Sequence, residues 1–337
     1  MIGKKLATAA AILLALGASA ARVANAEPVK IRTAYVVPVA NWASLFLAKK
    51  ELAKHMGQSY VFEDVRFNGT PAMITALATG ELEIGDLAYS SLALAVENAG
   101  MDDLRVISDE FQDGANGYYT DEFFVLDDGP VKKVEDLKGK VIATNAVGSG
   151  VDIVMRAMLR KHGLEDKRDY TMVEAPFPTM RAMLAEKKVD MIPGVTPFSY
   201  DPELRKVGRV LFTQREAVGT TQMIVWVARK SFIDKNRAAL VDFMEDVQRI
   251  VRWYVDPANH KEAVAIAANI TKRPEAIFDA WLFNNKDYYR DPKMIPNLDA
   301  LQANIAMQKE LGFLKSGFDV KAHSDLSVVE EAAQRLH

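Results

Sequence analysis

The feature that most limits the fold is an alternation of short apolar runs with helical runs, and it occurs twice along the chain. In the first occurrence the strands read as Val29–Val37, Tyr60–Phe67, Leu82–Leu87 and Arg105–Ser108. Helical patterns lie between them: Trp42–His55, a run from Thr70 to Gly80, and a run from Ser90 or Ser91 to Gly100. Thr70 is placed to cap the second helix, with Pro71 at its first position and Gly80 as the stop. In the second occurrence the strands are Lys140–Thr144, Tyr170–Val173 and Val189–Ile192, separated by helices at Gly150–Lys161 and Pro178–Lys187. Ala76–Ile84 and Met183–Met191 share one design: helix end, tight turn, acidic residue, apolar strand. Strands joined through helices need crossover connections, which give a mostly parallel sheet covered on both faces. The expected fold class is therefore α/β, with two such units.

Two extended runs join the units, Tyr118–Leu126 and Thr220–Ala228. That layout predicts a hinged two-lobe clamp, with 27–118 as lobe one, 119–225 as lobe two, and 226–337 returning to lobe one. The last part is helical, at Asp234–Tyr254, Lys261–Asn269, Pro274–Phe283 and Leu298–Leu311. Its large aromatics, Trp253, Trp281 and Phe283, sit at helical spacing and are expected to be buried. Ligands of such sheets bind beyond the carboxyl ends of the strands, where helix N-termini gather.

Gly139–Arg160 shows how such a site is made. A strand, Val141–Thr144, feeds a glycine-bearing loop and then a helix opening at Ser149. Val151, Val154, Met155, Met158 and Leu159 mark its buried face. Ser149 with Asp152 spells a capping box, and the free N–H groups of the first turn suit an anion or a polar ligand head. Capping alone is the competing role for these two residues.

The chain opens with Lys4 and Lys5, an apolar run from Leu6 to Leu16, and small residues ending Ala24-Asn25-Ala26. This is the pattern of a secretory signal, with cleavage expected after Ala26. The apolar run is shorter than the ~20 residues a membrane span needs. Removing the segment leaves 39 basic against 45 acidic residues. No basic stripe suggests nucleic acid. The chain has no cysteine, so it offers no lipid-anchor thiol, disulfide or thiolate metal site. A periplasmic protein without a lipid anchor is the expectation. The sequence holds no H-E-x-x-H, no G-x-S-x-G and no thiol nucleophile, and the histidines are scattered. No catalytic residue, metal ligand or cofactor is therefore assigned. Gly148-x-Gly150 lacks the third glycine of a dinucleotide loop, Ile153 standing in its place.

Several stretches together resemble a known family. They are Gly69–Ala72, Ala76–Gly85, Val134–Val141, Gly148-Ser149, Leu159–Leu164, Asp169-Tyr170 and Glu310–Leu314. The chain resembles the periplasmic substrate-binding proteins of ABC importers for nitrate, alkanesulfonates and taurine, a group that includes binders of thiamine-pyrimidine precursors. The resemblance implies a monomeric clamp that captures a small molecule and hands it to a membrane permease with its ATPase. By position it implies a cleft lined by Asn41 and Trp42, by Gly69 and Thr70, and by Tyr89, Ser90 and Ser91. Gly148, Ser149 and Gly150 should face them, together with the turn at Pro193–Ser199.

One departure concerns charge. The lobe-one turn of that family reads G-x-x-D, whereas here Glu83 takes the Asp position and Asp86 follows. A carboxylate at Asp86 would oppose a bare anion. It could grip an ammonium group, accept from a hydroxyl, or pair with Arg66 or Arg181. Aromatic residues fall at cleft positions, namely Trp42, Tyr89, Tyr118, Tyr119, Phe198 and Tyr200, and Thr221 opens the second crossover run. Stacking rings favour a ligand with an apolar or aromatic body. The expected ligand is an organic anion such as an aromatic carboxylate or sulfonate. A pyrimidine or amine, a periplasmic enzyme, and a sensory protein that presents its ligand to a receptor are the alternatives.

Overall fold

The computed structural model describes residues 27–336. The proposed signal segment lies outside them. In chain order the elements are β1 (Val29–Tyr35), α1 (Ala43–Phe46), β2 (Tyr60–Arg66), α2 (Ala72–Thr79), β3 (Gly85–Ala88), α3 (Tyr89–Glu97) and β4 (Leu104–Asp113). Then follow β5 (Glu122–Leu126), β6 (Val141–Thr144), α4 (Gly150–Lys161), β7 (Thr171–Glu174), α5 (Phe177–Ala185), β8 (Ile192–Gly194), α6 (Pro202–Val207), β9 (Gly208–Thr213) and α7 (Gln214–Val218). The chain closes with β10 (Thr221–Arg229), α8 (Lys230–Val255), α9 (His260–Thr271), α10 (Leu298–Glu310) and α11 (Ser327–Arg335).

The strands form two sheets of one design. Lobe one runs β2-β1-β3-β10-β4, its two parts joined by a parallel bridge between Thr33 and Ile84. Lobe two runs β7-β6-β8-β5-β9, joined by a parallel bridge between Ile142 and Met191. In each sheet the crossover strand is the antiparallel one. β10 pairs antiparallel with β3 and β4, and β5 with β8 and β9. The α/β two-lobe reading is thus the observed one. The whole of β10 belongs to the first sheet, so the boundary expected at 225 falls inside a lobe-one strand and the passage between sheets lies at 214–220.

Several local expectations change. The helix read over Trp42–His55 is α only to Phe46 and continues as a tighter 3₁₀ turn to Leu52. Pro274–Phe283 contains only a short 3₁₀ turn at Glu275–Ile277. Thr70 does not cap α2, because its hydroxyl is bonded to Ser91 Oγ at 2.7 Å. Gly80 does end α2, in the left-handed conformation a glycine adopts without strain. Glu83 pairs with Arg32, through Nε at 2.9 Å and Nη2 at 2.6 Å, and Arg181 pairs with Asp201 at 3.2 Å. Neither arginine named for Asp86 reaches it.

The strand read at Arg105–Ser108 continues to Asp113 and buries Asp109, Glu110, Gln112 and Asp113. Its outer edge is covered by the C-terminal segment. The N–H groups of Val106, Asp109 and Gln112 donate to the carbonyls of His323, Met294 and Tyr289, each at 2.8 Å. An edge strand closed in this way keeps its backbone satisfied while its polar side chains leave water.

The long helix α8 ties the outer face of lobe one together through Asp246. This fully buried carboxylate accepts from Lys54 N (3.0 Å), His55 N (2.8 Å), Tyr60 Oη (2.8 Å) and Arg249 Nη1 (2.6 Å). Removing it strands several donors and a guanidinium. Asp246→Ala should lower stability by about 3–5 kcal/mol in urea unfolding, and Asp246→Asn by less. An unchanged midpoint for the alanine variant would contradict this account.

Candidate functional site

The lobes meet along the loops at the carboxyl ends of their strands. Ser90 Oγ and Ser91 Oγ of lobe one donate to the Gly148 carbonyl of lobe two, at 2.9 and 3.4 Å. Asn145 Nδ2 donates back to the Asn68 carbonyl at 3.1 Å. Gly69 shows why these loops hold small residues. A Cβ built there would lie 2.5 Å from the Cβ of Ala146 on the other lobe.

Between the lobes lies a cavity, part of it continuous with solvent. Of the expected contacts, Asn41, Thr70, Asp86, Ser149 and Gly150 line it. Gly69, Ser90, Ser91 and Gly148 lie in the contact between the lobes instead. Tyr89 is buried behind it, its hydroxyl 3.5 Å from the Gly150 carbonyl. Trp42 packs in the lobe-one core, stacked on Phe283 at 5.4 Å. Tyr118 stands edge-on to Tyr289, and Thr221 accepts from Gln214 Nε2 at 2.6 Å near the crossover. Phe198 is at the mouth of the cleft. Tyr119 packs against Tyr288 and Tyr200, and Tyr200 lies flat on Trp281 at 4.9 Å. The rings that do line the cavity are Phe111, Phe177 and Tyr288, none of them foreseen.

The N-terminus of α4 has a different charge balance from the one expected. Ser149 caps the helix, accepting from Asp152 N at 3.4 Å while its hydroxyl donates to Asn145 Oδ1 at 2.8 Å. The loop N–H groups, however, are taken by the chain's own carboxylates. Gly148 N donates to Asp152 Oδ2 at 2.8 Å and Val147 N to Glu174 Oε1 at 2.6 Å. Asp152 is buried and paired with Arg156 at 3.0 Å. The place an external anion would take beside this helix is therefore filled from within.

The cavity itself is acidic. Asp86 on β3 and Asp121 before β5 line it and are almost wholly buried. Neither oxygen of Asp86 completes a hydrogen bond, and the indole N–H of its cross-strand neighbour Trp226 is likewise left without a partner; one oxygen of Asp121 also has none. The other Asp121 oxygen accepts from Tyr288 Oη at 2.5 Å, and that hydroxyl accepts from Thr196 N at 3.2 Å. No lysine, arginine or histidine of the described residues lines the cavity. Burial pushes the Asp86 carboxyl well above the usual range and the Glu110 carboxyl raises it further, while Trp226, its cross-strand neighbour, opposes the rise. Burial, then the neighbouring Asp113, raises Asp121 likewise. Behind the cavity, burial lifts Glu110 to about 8 and Asp109 and Asp113 to about 7. Among the described residues no cluster of three or more His, Cys, Asp or Glu side chains is arranged to hold a metal ion.

The model of the NMT1-like family matches residues 24–268. The chain belongs to the NMT1-like family. No curated protein sequence matches it. Among solved structures, the fold of this NMT1-like chain is similar to that of the alkanesulfonate-binding protein SsuA from Xanthomonas axonopodis pv. citri, bound to MOPS. That pair has 19% identity and a TM-score of 0.70, covering 89% of this chain and 99% of the other. The periplasmic nitrate-binding protein NrtA from Synechocystis PCC 6803 aligns with 15% identity and a TM-score of 0.69, over 92% and 90% of the two chains. The desulfurization enzyme DSZB aligns with 13% identity and a TM-score of 0.65, over 92% and 100%. The fold thus serves binding proteins and an enzyme, and this family member has no cysteine.

Two outcomes follow from the site. Carboxyls whose folded values are raised keep protons that the unfolded chain gives up near pH 4. Thermal melts of the ligand-free protein should therefore show stability falling as pH rises from about 5 towards about 8, by up to about 1.4 kcal/mol per unit for each such group. A rise over that range would contradict the buried, protonated assignment. Separately, Gly69→Ala should hold the lobes apart and weaken ligand binding about tenfold or more, with little loss of melting temperature. Unaltered affinity in calorimetry would show that closure does not bring Gly69 against Ala146.

Proposed function

We propose that this chain is the periplasmic solute-binding component of an ABC-type importer, capturing a small organic molecule through a protonated or hydrogen-bond-donating nitrogen. It works without catalysis or cofactor and passes its ligand to a membrane permease. The family and the two-lobe fold support the general role. One observation carries the ligand class: Asp86 and Asp121 bring unpartnered, buried carboxyl oxygens into a cavity lined by no cationic side chain among the described residues. A nitrogen donor or cation supplies what those oxygens lack, whereas a sulfonate or carboxylate head would find no cationic side chain in the cavity to balance it. Phe111, Phe177 and Tyr288 offer faces for a flat or apolar body. The ligand class is thus the amine or pyrimidine alternative rather than the organic anion expected of the sequence.

A carboxyl held above its usual value must lose its proton to grip a cation. Affinity for an amine should therefore rise with pH, with proton release visible as a buffer-dependent heat. In a thermal-shift panel of primary amines, amidines, aminopyrimidines, sulfonates and aromatic acids, the nitrogen compounds should give the stabilising class. Asp86→Asn should cut their affinity by about ten- to a hundredfold, the worth of a charged hydrogen bond, and raise the ligand-free melting temperature at pH 8. Stabilisation by sulfonates alone would overturn the nitrogen reading, and turnover of any panel member would overturn the binding-protein role.

A further inference from the structure

The two crossover runs are continuous backbone between the lobes, and a later segment touches both lobes as well. Residues 281–290 belong to lobe one by their anchors. Trp281 is buried in the lobe-one core, Tyr288 stacks on Phe111 of β4 at 4.2 Å, and Tyr289 and Gln112 exchange backbone hydrogen bonds at 2.8 and 3.2 Å. Arg290 Nη2 donates to the Ala40 carbonyl at 3.0 Å. Asp287 stiffens the segment from within. It accepts from Phe283 N at 3.0 Å and from Tyr288 N at 2.7 Å, and it pairs with Arg290.

The same segment reaches the turn at 196–200 of lobe two. Tyr200 lies on Trp281, and its hydroxyl donates to the Lys286 carbonyl at 2.6 Å. Thr196 N donates to Tyr288 Oη at 3.2 Å, and Tyr288 Oη donates in turn to Asp121 Oδ1 at 2.5 Å. Tyr119 spans the same gap, its N–H donating to the Asp287 carbonyl at 3.0 Å and its hydroxyl to the Gly194 carbonyl at 2.9 Å. A phenol has one hydrogen to give. Tyr288 gives it to Asp121 Oδ1, so Oδ2 is the oxygen left without a partner and the place for any proton the carboxyl carries. One hydroxyl therefore fixes which oxygen of a cavity carboxyl is free and ties that carboxyl to the backbone of lobe two.

We propose that 281–290 is a third, non-covalent connection between the lobes and that Tyr288 is its positioning residue, orienting Asp121 while it holds the lobes together. The crossover runs stay joined in any arrangement of the lobes. The contacts of 281–290 are side-chain stacking and single hydrogen bonds, so they break when the lobes part and re-form when they meet. Thr196, Asp121 and Tyr288 are all buried, and an unmade bond there leaves Thr196 N and Asp121 Oδ1 both without a protein partner. The connection thus weights the ligand-free equilibrium towards the arrangement in which the lobes touch. It holds for a ligand of any charge, so it stands or falls apart from the nitrogen reading of the cavity.

The chain has no cysteine, so two introduced thiols carry nitroxide labels without background. Ala78→Cys on α2 and Ala182→Cys on α5 place one exposed label on each lobe. Pulsed electron–electron distance measurements on the ligand-free protein should resolve a population with the lobes in contact and one with them apart. Tyr288→Phe should lower the ratio of the first to the second by about five- to tenfold, the worth of one buried hydrogen bond. Tyr200→Phe, which keeps the ring stack and loses the Lys286 bond, should lower it as well. Asp121→Ala should match Tyr288→Phe, and the two together should add nothing further. Asp121→Asn keeps an acceptor for the phenol and should stay close to the parent. A ratio unchanged in Tyr288→Phe, whether or not its melting temperature falls, would overturn the proposal. So would a parent with no contact population, or fully additive effects of Tyr288→Phe and Asp121→Ala.

Discussion

A carboxyl group taken out of water with no cation beside it must keep its proton or receive a donor from outside the chain. That constraint governs the centre of this molecule. Asp86, Asp109, Glu110, Asp113 and Asp121 are all buried, and they converge where the two sheets approach each other. Their partners are mostly neutral: Gln222 Nε2 on Asp109, Trp42 N on Glu110, Thr120 Oγ1 on Asp113, and Tyr288 Oη on Asp121. Arg290 is the nearby cation. It is paired with Asp287 at 3.1 Å and held over the rings of Trp42 and Phe283, so its charge is already shared. The interior therefore carries unmet acceptor capacity, and it is directed at the cavity.

The lobes are shaped to make that capacity selective. Small residues at Gly69 and Gly148 let the loops touch, and the serines at the start of α3 bond across the contact. Closure removes solvent from Asp86, which strengthens any interaction it makes and raises the cost of leaving it unpaired. The helix N-terminus at Ser149, the natural anion seat of this kind of sheet, is occupied by Asp152 and Glu174. The loop N–H groups at that helix start are thus satisfied by carboxylates of the chain itself, without a strand being moved.

Much of this is legible in the sequence, and the gaps have physical causes. Strand and helix periodicity locates most elements, because burial on one or both faces writes a regular pattern. The helix from Gly150 to Lys161 has the ends its pattern predicts, because Ser149 caps it and its apolar face is strict. For β4 the pattern stops at Ser108. The residues after it, D-E-F-Q-D, look like a solvated turn, and only the C-terminal segment laid along that edge makes them a buried strand. Long-range cover of this kind leaves no local signal. The cavity residues divide in the same way. Asn41, Thr70, Asp86, Ser149 and Gly150 sit in loops that strand order brings together, which a topology argument reaches. Tyr288 and Phe111 arrive from a distant segment and from the part of β4 that has no local pattern. Most aromatic residues of the loops are not ligand contacts, since a ring at a strand end can equally turn into a core, as Trp42 does.

The exchange of strands between the sheets also fixes an order of events. Every strand of the second sheet lies between Glu122 and Thr213, so that lobe can assemble from one continuous stretch. The first sheet cannot. Its inner strand β10 enters between β3 and β4 only after the whole second sheet has been made, and α8 and α11 arrive later still to cover its face. During synthesis the N-terminal half of the chain therefore waits, with β3 and β4 unable to pair, until the C-terminal half exists. Contacts so distant in sequence are slow to form. The clamp's first lobe is thus the last to become a lobe, and the half that begins the chain is completed by the half that ends it.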